Sequence, residues 1–586
     1  MPTINITSNS IIAPEQHFRI FAGPGAGKTH LLVNHLKYVL QHSQRLDCSK
    51  KIACITYTNI GVETIIKRLK FGSDRIEVST IHGFIYHNII KPYMSFIAER
   101  FNFNVHRMDG HDDHIISRSK IKAWLTSHIS RANLRHPYSY EQLTRLPQYI
   151  PAIGNWLASM QYKFIEENLE FVMENGKAFY IDDNGGRVNL SKVNCLDKLL
   201  PGLMDYKKIF WEKGILQHDD VLYFGYILLS EYPFIAQVIR AKFPYFFIDE
   251  FQDTSPIQSR ILRIIGEAGI ITGIIGDEAQ SIYSFQGADP VQFRTLQLAN
   301  IQDYQILDNK RSTIEIINVL NYIRQDLVQI STRNTQGERC QLLIGDYHDA
   351  VEHVKQICAA DLTILTWDNI TANELKNQMT SEAPTNNLID HLYSIDDSIR
   401  RSVILSCLRS IEFAKEKRFK DAIKEMEINF RNIANKDIRK AKAIEKLTVL
   451  LSNYENIRSA PLYDFFTLVR SEIKSDFTNL SGRGAAREFY NSHTYEQVAV
   501  CLKIEDDRSP SKTIHKSKGD EFNNVLLVLK KESELDFILK RSLTKEEYRL
   551  FYVAISRAKE RLFISIPELA EVKQNSINHL FDSINI

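Results

Sequence analysis

Near its start the chain carries a glycine-rich turn between an apolar segment and an amphipathic one. Residues 18–29 read FRIFAGPGAGKT, and the following LLVNHLKYVL has apolar residues at helical spacing. The pattern predicts a strand, a loop and a helix whose N-terminal N–H groups converge on phosphate. Lys28 would reach the terminal phosphates and Thr29 would ligate magnesium. Ala22 stands where the GxxxxGK[ST] pattern has its first glycine, so a glycine-rich turn with a chance lysine is the alternative.

A second apolar segment ends in two adjacent acids. Residues 245–254 read YFFIDEFQDT. At a sheet edge beside a phosphate loop, Asp249 would hold the magnesium hydration shell and Glu250 would orient or deprotonate the attacking water. Adjacent acids at a strand end are often only solvated turn residues. The phosphate loop earlier in the chain is what favours the functional interpretation.

A third apolar strand, GIITGIIGD, leads into EAQSIYSFQGADP at 278–290. Gln280 would sense a γ-phosphate there, and Tyr283 and Phe285 offer flat faces on which nucleobases stack. Aromatic residues spaced two apart also occur as plain strand packing. The adjoining glutamine and glycine favour contact with nucleic acid.

Length, charge and cysteine content narrow the classes of protein to consider. A chain of 586 residues, 44% hydrophobic and 25% charged, predicts a globular protein of about four domains. Its net charge of +2 leaves any nucleic-acid surface to local clusters. The seven cysteines include no CxxC pair and no zinc or iron–sulfur spacing. Because no signal peptide and no run of about 18 apolar residues occurs, we expect a cytoplasmic protein.

The order and sequence of these blocks resemble the UvrD/Rep/PcrA group of superfamily 1 DNA helicases. Further blocks extend the resemblance over both halves: ITYTNIGVETIIKRL at 55–69, STIHGFIY at 79–86, LQHDDVLYFGYILL at 216–229, ILDNKRST at 306–313, TIHKSKGDEFNNVLLV at 513–528 and EEYRLFYVAISRAKERLFI at 546–564. The resemblance implies an α/β fold of two RecA-like parallel-sheet P-loop NTPase cores, each interrupted by a mainly helical accessory insertion.

By this resemblance, ATP and Mg²⁺ would bind the first core and the site would be completed from the second. The expected catalytic residues are Glu250, Gln280, Arg311 and Arg557, with both arginines reaching the γ-phosphate from the second core. The expected nucleotide-binding residues are Ala22, Gly23, Pro24, Gly25, Ala26, Gly27, Lys28, Thr29 and, at the ribose, Glu521, while Thr29 and Asp249 would hold the metal. Because the arginines and the phosphate loop belong to different cores, transition-state charge would be stabilised only when the cleft closes.

The same resemblance places single-stranded or partly duplex DNA across both cores. The expected contacts are Tyr57, Thr58, Asn59, Thr80, His82, Tyr283 and Phe285 on the first core and His515 on the second. For Tyr57 the alternative is a place in the strand core. For His82 and His515 it is the role of a structural histidine.

Several residues depart from the family pattern. Gln16 lies only twelve residues before Lys28, nearer than the family's adenine-reading glutamine, and Lys310 replaces the usual base-stacking tyrosine. Selection for adenine is therefore not expected to follow the family's route. Phe285 and Gln286 stand where the family usually has Trp and Arg, which predicts a weaker grip on DNA.

The positions of the blocks and the sequence between them predict two cores and two insertions. The first core would comprise residues 1–90 and 206–300, with an insertion at 91–205, and the second 301–380 and 498–586, with a basic helical insertion at 381–497. Between residues 400 and 446 fourteen Lys/Arg stand against seven Asp/Glu. This run predicts a duplex or partner surface, or else a solvated helix face with i,i+4 pairs such as Glu412 and Glu416 with Lys420. The second insertion lacks the strand-rich segment usual in the family, so the sequence supports DNA unwinding less strongly than it supports ATP hydrolysis.

The leading hypothesis is an ATP-dependent DNA translocase or helicase that moves 3′ to 5′ on single-stranded DNA, as its relatives do. The alternative is a DNA-stimulated ATPase that acts as a sensor or regulatory subunit of a nuclease complex with little unwinding. The chain also resembles the helicase-like subunits that act beside an OLD-family nuclease in anti-phage systems such as Gabija. That resemblance implies an antiviral role and a nuclease partner. The lack of a signal peptide and of a long apolar run predicts no membrane partner. A kinase or transporter ATPase would not explain TIHKSKG and SRAKE in a second core.

Overall fold

Two parallel sheets, one of seven strands and one of six, dominate the structure, which is a computed structural model. It describes residues 2–70, 72–112, 118–130, 149–181, 186–190, 196–358, 361–377, 382–504 and 509–586. The predicted α/β class with two parallel-sheet cores is confirmed.

The first sheet is covered on both faces. Its strands in spatial order are Ile4–Asn5, Gln302–Ile306, Phe18–Ala22, Ile271–Gly276, Tyr245–Ile248, Ile52–Thr56 and Ile76–Thr80, and every neighbouring pair is parallel. Phe246 and Ile248 pack into one hydrophobic core, while Tyr245 and Phe247 of the same strand pack into another. Burial on both faces explains why the central strands are nearly continuous apolar runs.

Helices pack on both sides of this sheet. They are Lys28–His42, Asn59–Leu69, Ile81–Ile85, His218–Glu231, Pro233–Lys242, Pro256–Glu267 and Val291–Thr295. Local sequence fixes where they begin: Ser255 caps the helix Pro256–Glu267, and the proline in the first turn needs no hydrogen-bond partner for its nitrogen. Among the described residues no single helix is long and apolar enough to cross a membrane. Two consecutive helices, His218–Glu231 and Pro233–Lys242, reach that length and apolar composition only when they are counted together, and the chain bends by 102° between them.

The strand Gln302–Ile306 departs from the predicted domain boundary, which started the second core at residue 301. It pairs in parallel with Phe18–Ala22, with Tyr304 opposite Ile20, and so belongs to the first sheet. Only the two end residues of its sequence QDYQI are buried. The strand therefore carried too little apolar signal to be assigned from the sequence.

The second sheet repeats the same plan. Its strands in spatial order are Ser511–Thr513, Leu362–Thr366, Phe522–Val528, Ala558–Ile566, Cys340–Ile344 and Phe581–Asn585, all parallel. Val525 and Leu527 enter one core and Leu526 and Val528 another. The helices around it are Ile314–Ile323, Tyr347–Cys358, Asn369–Asn377, Glu546–Ile555 and Glu571–Ile577.

The first insertion contains strands that the sequence did not predict. Its described helices include Arg118–Ser127, Tyr149–Ala158 and Leu203–Trp211, and its hairpins pair Gln161–Ile165 with Asn168–Val172 and Phe179–Ile181 with Arg187–Asn189. The expectation of a mainly helical insertion missed both hairpins. In the longer one, each strand sends only two side chains into the core, Tyr162 and Phe164 from one strand and Leu169 and Phe171 from the other. Such a short alternation is hard to distinguish from a loop.

The second insertion is helical throughout its described part. Its helices are Leu388–Ile395, Ser398–Lys415, Phe419–Glu427, Lys436–Ser452, Leu462–Glu472, Ala485–Ser492 and Tyr495–Ala499. The described residues between 382 and 497 form no strand. Leu405, Phe465 and Tyr490 are fully buried in a core of its own.

Candidate active site between the two cores

The glycine-rich turn leads into a helix whose N-terminus has no side-chain cap. It connects the strand Phe18–Ala22 to the helix Lys28–His42, and Gly25 and Gly27 have φ angles of 70° and 84°. These left-handed angles are readily adopted only by glycine. No side chain caps the helix at Gly27. The first helical N–H groups therefore point toward the loop without a side-chain acceptor, an arrangement suited to a phosphate group.

The two predicted acids lie beside this helix start. The Thr29 hydroxyl donates a hydrogen bond to Oδ2 of Asp249 at 3.3 Å, and Lys28 Nζ lies 3.7 Å from Oε2 of Glu250. A hydroxyl and a carboxylate are the oxygen ligands that Mg²⁺ accepts, together with water and substrate phosphates. This donor set fits the magnesium ion that the sequence predicted.

The two neighbouring acids have opposite pKa shifts. Burial and the Glu250 charge raise the pKa of Asp249. Burial acts on Glu250 in the same direction, but the positive charges of Lys28 and Lys518 outweigh it and lower the pKa of Glu250. Glu250 is thus held ionised, as a group that orients or deprotonates water must be. A cation near Asp249 would favour the ionised form of that carboxylate too.

Asp277, just after the strand Ile271–Gly276, connects several predicted catalytic groups. Its Oδ2 accepts from Gln280 Nε2 at 2.5 Å, and its Oδ1 accepts from Arg324 Nη1 at 2.5 Å. Its backbone N–H donates to Gln252 Oε1 at 2.9 Å, and Gln252 in turn donates to Glu250. Asp277 therefore fixes both the glutamine expected to sense phosphate and, through Gln252, the acid expected to activate water. The sequence analysis missed Asp277 and Arg324.

The two predicted arginines reach this network from the second core. Arg557, only 3% exposed, donates from Nη2 to Gln280 Oε1 at 2.7 Å. Burial and the neighbouring charge of Arg311 lower the pKa of Arg557 to about 9. Arg311 donates to Oε1 of Glu521 at 2.8 Å, so the predicted ribose ligand is engaged by an arginine. A Cβ atom on Gly25 would lie 2.8 Å from Arg311 Cβ, which places Arg311 directly against the phosphate loop.

Four of the predicted DNA contacts form one strip across both cores. The rings of Tyr57 and Tyr283 stack, with centroids 4.9 Å apart at 20°. Phe285 lies 6.0 Å from Tyr283 and 5.6 Å from His515, which comes from the second core. Phe285 is 60% exposed. We call these four side chains the aromatic strip; its outer end presents a free ring face to solvent.

The remaining predicted DNA contacts lie elsewhere or have local roles. The hydroxyls of Thr58 and Thr80 cap helices, accepting from Gly61 N at 3.1 Å and Gly83 N at 3.2 Å, and Asn59 is exposed on the first of these helices. His82 contacts two other histidines instead of the strip, with its ring 5.6 Å from that of His218 and 6.1 Å from that of His111. Burial and these two neighbours lower the pKa of His82 to about 3. Its surroundings fit the structural-histidine alternative.

Second-core side chains also hold the loop that joins Gln280 to Phe285. Lys518 pairs with the buried Asp253 and donates to the Gln280 carbonyl at 2.9 Å. Arg549 donates to the Ser281 carbonyl at 2.7 Å, and Glu546 accepts from the Ser284 N–H at 2.9 Å. Gln280 thus lies five residues before Phe285 of the strip, on one loop that side chains of the second core hold in place. The sequence analysis assigned no role to these three second-core residues, although Lys518 lies inside the block TIHKSKG and Glu546 and Arg549 lie inside the block EEYRLFYVAI.

With this geometry established, the chain can be compared with known families. The model of the UvrD/REP helicase N-terminal domain matches residues 5–299, which is half of the chain. The chain belongs to the UvrD/REP helicase family. The model of the UvrD-like helicase C-terminal domain also matches, at residues 511–565. The family resemblance inferred from the sequence blocks is confirmed.

Several curated relatives show how far the similarity extends. The chain is 28% identical to the Gabija protein GajB of Bacillus cereus (strain HuB5-5), over 56% of this chain and 49% of GajB. It is 22% identical to the ATP-dependent DNA helicase Rep of Buchnera aphidicola subsp. Acyrthosiphon pisum, over 93% of this chain and 92% of Rep. It is 24% identical to DNA helicase II of Salmonella typhimurium, over 53% and 39%. The matched region thus spans about half of GajB and nearly all of this Rep.

Proposed function

We propose that this UvrD/REP family member hydrolyses ATP with Mg²⁺ to move along single-stranded DNA. The phosphate loop and Lys28 would bind the phosphates, and Thr29 and Asp249 would hold the magnesium ion, which would neutralise phosphate charge. Glu250 would accept a proton from the attacking water. Arg311 and Arg557 would stabilise the charge that develops on the γ-phosphate.

The observation that carries this proposal is the contact between Arg557 and Gln280 across the two cores. Gln280 stands five residues before Phe285, the exposed ring of the aromatic strip. A change in the separation of the cores would therefore move Gln280 and Phe285 together. This short loop supports the proposal that ATP hydrolysis is coupled to DNA binding.

The direct experiment measures ATP hydrolysis with and without polythymidine. We expect DNA to stimulate the wild type. Lys28→Ala should fall below about a tenth of wild-type turnover, because a main charge stabiliser is lost, while its melting temperature is retained. Lys37→Ala on the same helix is the matched control and should keep turnover. Higher turnover in a folded Lys28→Ala protein would refute the assignment of the phosphate loop.

We further propose movement from 3′ to 5′, as in the resembled helicases. A protein moving in that direction displaces streptavidin from a biotin at the 5′ end of a single strand and leaves one at the 3′ end in place. The opposite preference would refute the polarity. Displacement at neither end, with DNA-stimulated ATPase intact, would refute translocation itself.

The similarity to the Gabija protein GajB supports a role in anti-phage defence beside an OLD-family nuclease. The same similarity, with the helical second insertion, favours a second candidate: a DNA-stimulated ATPase that regulates the nuclease and unwinds little. A forked duplex with a 3′ tail separates the two, since a helicase releases the displaced strand and a regulatory ATPase does not. Co-purification from the native host tests the nuclease partner.

A further inference from the structure

The basic run in the second insertion is not explained by the site between the cores. It lies on the helices Ser398–Lys415, Phe419–Glu427 and Lys436–Ser452. The structure neutralises part of the run with ion pairs such as Arg409–Glu425, Arg418–Asp421 and Lys442–Glu445, but the predicted pairs of Glu412 and Glu416 with Lys420 are not among them. Glu412 accepts from Lys415 and Tyr495, and Glu416 pairs with Lys376 of the second core. Neither acid pairs with Lys420 within the described part of the chain.

Two adjoining clefts open on this insertion. Their volumes are about 850 and 930 Å³, and both are lined by Arg418 and Asp421. The larger cleft is also lined by Lys424, Arg431 and Lys503, which are exposed. Within the described residues, none of these three has an ion pair or a hydrogen bond to an acid. Their positive charges are therefore available to a ligand.

The chain segment that lines the smaller cleft continues to the second-core end of the aromatic strip. This cleft is lined by Ser509 and Pro510, which immediately precede the strand Ser511–Thr513 and, through it, His515. Burial lowers the pKa of His515, and the positive charges of Lys518 and Lys503 lower it further. Lys503 thus lies within electrostatic reach of the strip's second-core end.

We propose that these two clefts bind the phosphate backbone of the single strand whose bases stack on the aromatic strip. This rests on the proposed function, because it extends the same DNA path onto the second insertion. The larger cleft supplies the three unpaired cations that a backbone path requires, the smaller cleft adjoins it at Arg418 and Asp421, and the strip supplies the stacking faces. Three cations spread along a cleft of about 930 Å³ suit an extended polyanion better than one compact phosphate group.

A single-stranded path is favoured over a duplex by the position of the clefts. The chain that lines the smaller cleft at Ser509 and Pro510 continues through the strand Ser511–Thr513 to His515, where unpaired bases would already be held apart for stacking. Each phosphate contact on a single strand releases about 0.7 counterion, so three contacts contribute about 2 to the slope of log affinity against log salt.

The test is the salt dependence of polythymidine binding by fluorescence anisotropy, on a strand of about 30 nucleotides, longer than the roughly 4–16 that one single-strand site covers. We expect Lys424→Ala/Arg431→Ala/Lys503→Ala to reduce the slope by about 2. Lys420→Ala/Lys436→Ala/Lys440→Ala removes the same charge from exposed positions of the same insertion that do not line the clefts. This control should leave the slope within about half a unit of wild type.

An equal slope change in both triple variants would overturn the proposal, since only general charge would then matter. A change confined to duplex DNA of the same length would overturn the single-strand assignment. If the wild type binds no single strand at all, the proposed function fails together with this path, whereas binding with an unchanged slope refutes the path alone. Should the triple variant lose its folded transition, Lys424→Ala and Lys503→Ala singly should each reduce the slope by about 0.7.

Discussion

At the residue scale, Arg324 shows how a buried ion pair can serve the site without touching substrate. Its side chain is 6% exposed and pairs with Asp277, whose side chain is fully buried. We expect Arg324→Ala to lower the free energy of unfolding by about 3–5 kcal/mol, because the Asp277 charge would stay buried without the cation that pairs with it. Urea denaturation measures it.

A second arginine that also pairs with an acid, but at the surface, shows how much of the stability change depends on burial. Arg294 also pairs with an acid, Glu278, but its side chain is 62% exposed. Arg294→Ala should cost no more than about 1 kcal/mol. Equal costs for the two variants would mean that the Arg324 pair does not stabilise the network around Gln280.

Phe285 is the residue on which stacking can be tested most cleanly, because its exposure makes a folding defect unexpected. Phe285→Ala should weaken single-stranded DNA binding by about 1–3 kcal/mol, with similar losses on mixed sequence and polythymidine, since stacking tolerates every base. Phe96→Ala, at an exposed ring outside the strip, is the control. Unchanged affinity in the Phe285 variant would move the DNA path elsewhere.

At the element scale, the phosphate loop is constrained by its own backbone and by the second core. Gly25 has a φ of 70°, and a Cβ there would meet Asn309 Oδ1 at 2.6 Å. Gly25→Ala should therefore cost at least about 1–2 kcal/mol from the left-handed backbone alone and weaken nucleotide binding. Gly176→Ala is the control, since nothing lies within 4 Å of its added Cβ. Calorimetric titration with a non-hydrolysable ATP analogue and thermal unfolding measure the two effects; wild-type behaviour of Gly25→Ala would contradict them.

Elements with a strong local pattern were predictable, and those without one were not. The strand Tyr245–Ile248 is apolar throughout because both its faces are buried, and the acids follow directly after its carboxyl end. The strand Gln302–Ile306 and the hairpins of the first insertion lack such a pattern. Long-range pairs leave no local trace at all: Arg324 lies 47 residues from Asp277, and Lys518 lies 265 from Asp253.

In the candidate site, too, residues within short sequence blocks were predictable and contacts between distant residues were not. The phosphate loop, both acids and Gln280 could be named from short blocks and lie together. The role expected for Glu521 at the ribose could not foresee its contact with Arg311, because the two residues lie 210 apart in sequence. His82 was named from its block, yet its surroundings are set by histidines on two other segments.

At the scale of the whole molecule, the two cores meet through charged groups that are buried or nearly so. Arg557 contacts Gln280, Lys518 pairs with Asp253, and Arg324 pairs with Asp277. Buried charges that lose their partners are costly, so the cores should move as rigid bodies between a few discrete arrangements. Binding of nucleotide and binding of DNA would then both shift the equilibrium between these arrangements of the two cores.

The most direct test of a site shared by two cores is to measure nucleotide binding and turnover in Arg557→Ala side by side. We expect binding of an ATP analogue to be retained, because the phosphate loop is intact, and turnover to fall by roughly 10³-fold or more. Arg561→Ala, at a partly exposed arginine on the strand Ala558–Ile566 that directly follows Arg557, should keep both. Equal loss of binding and turnover in Arg557→Ala, or no loss of turnover, would contradict closure of the two cores as the step that completes the site.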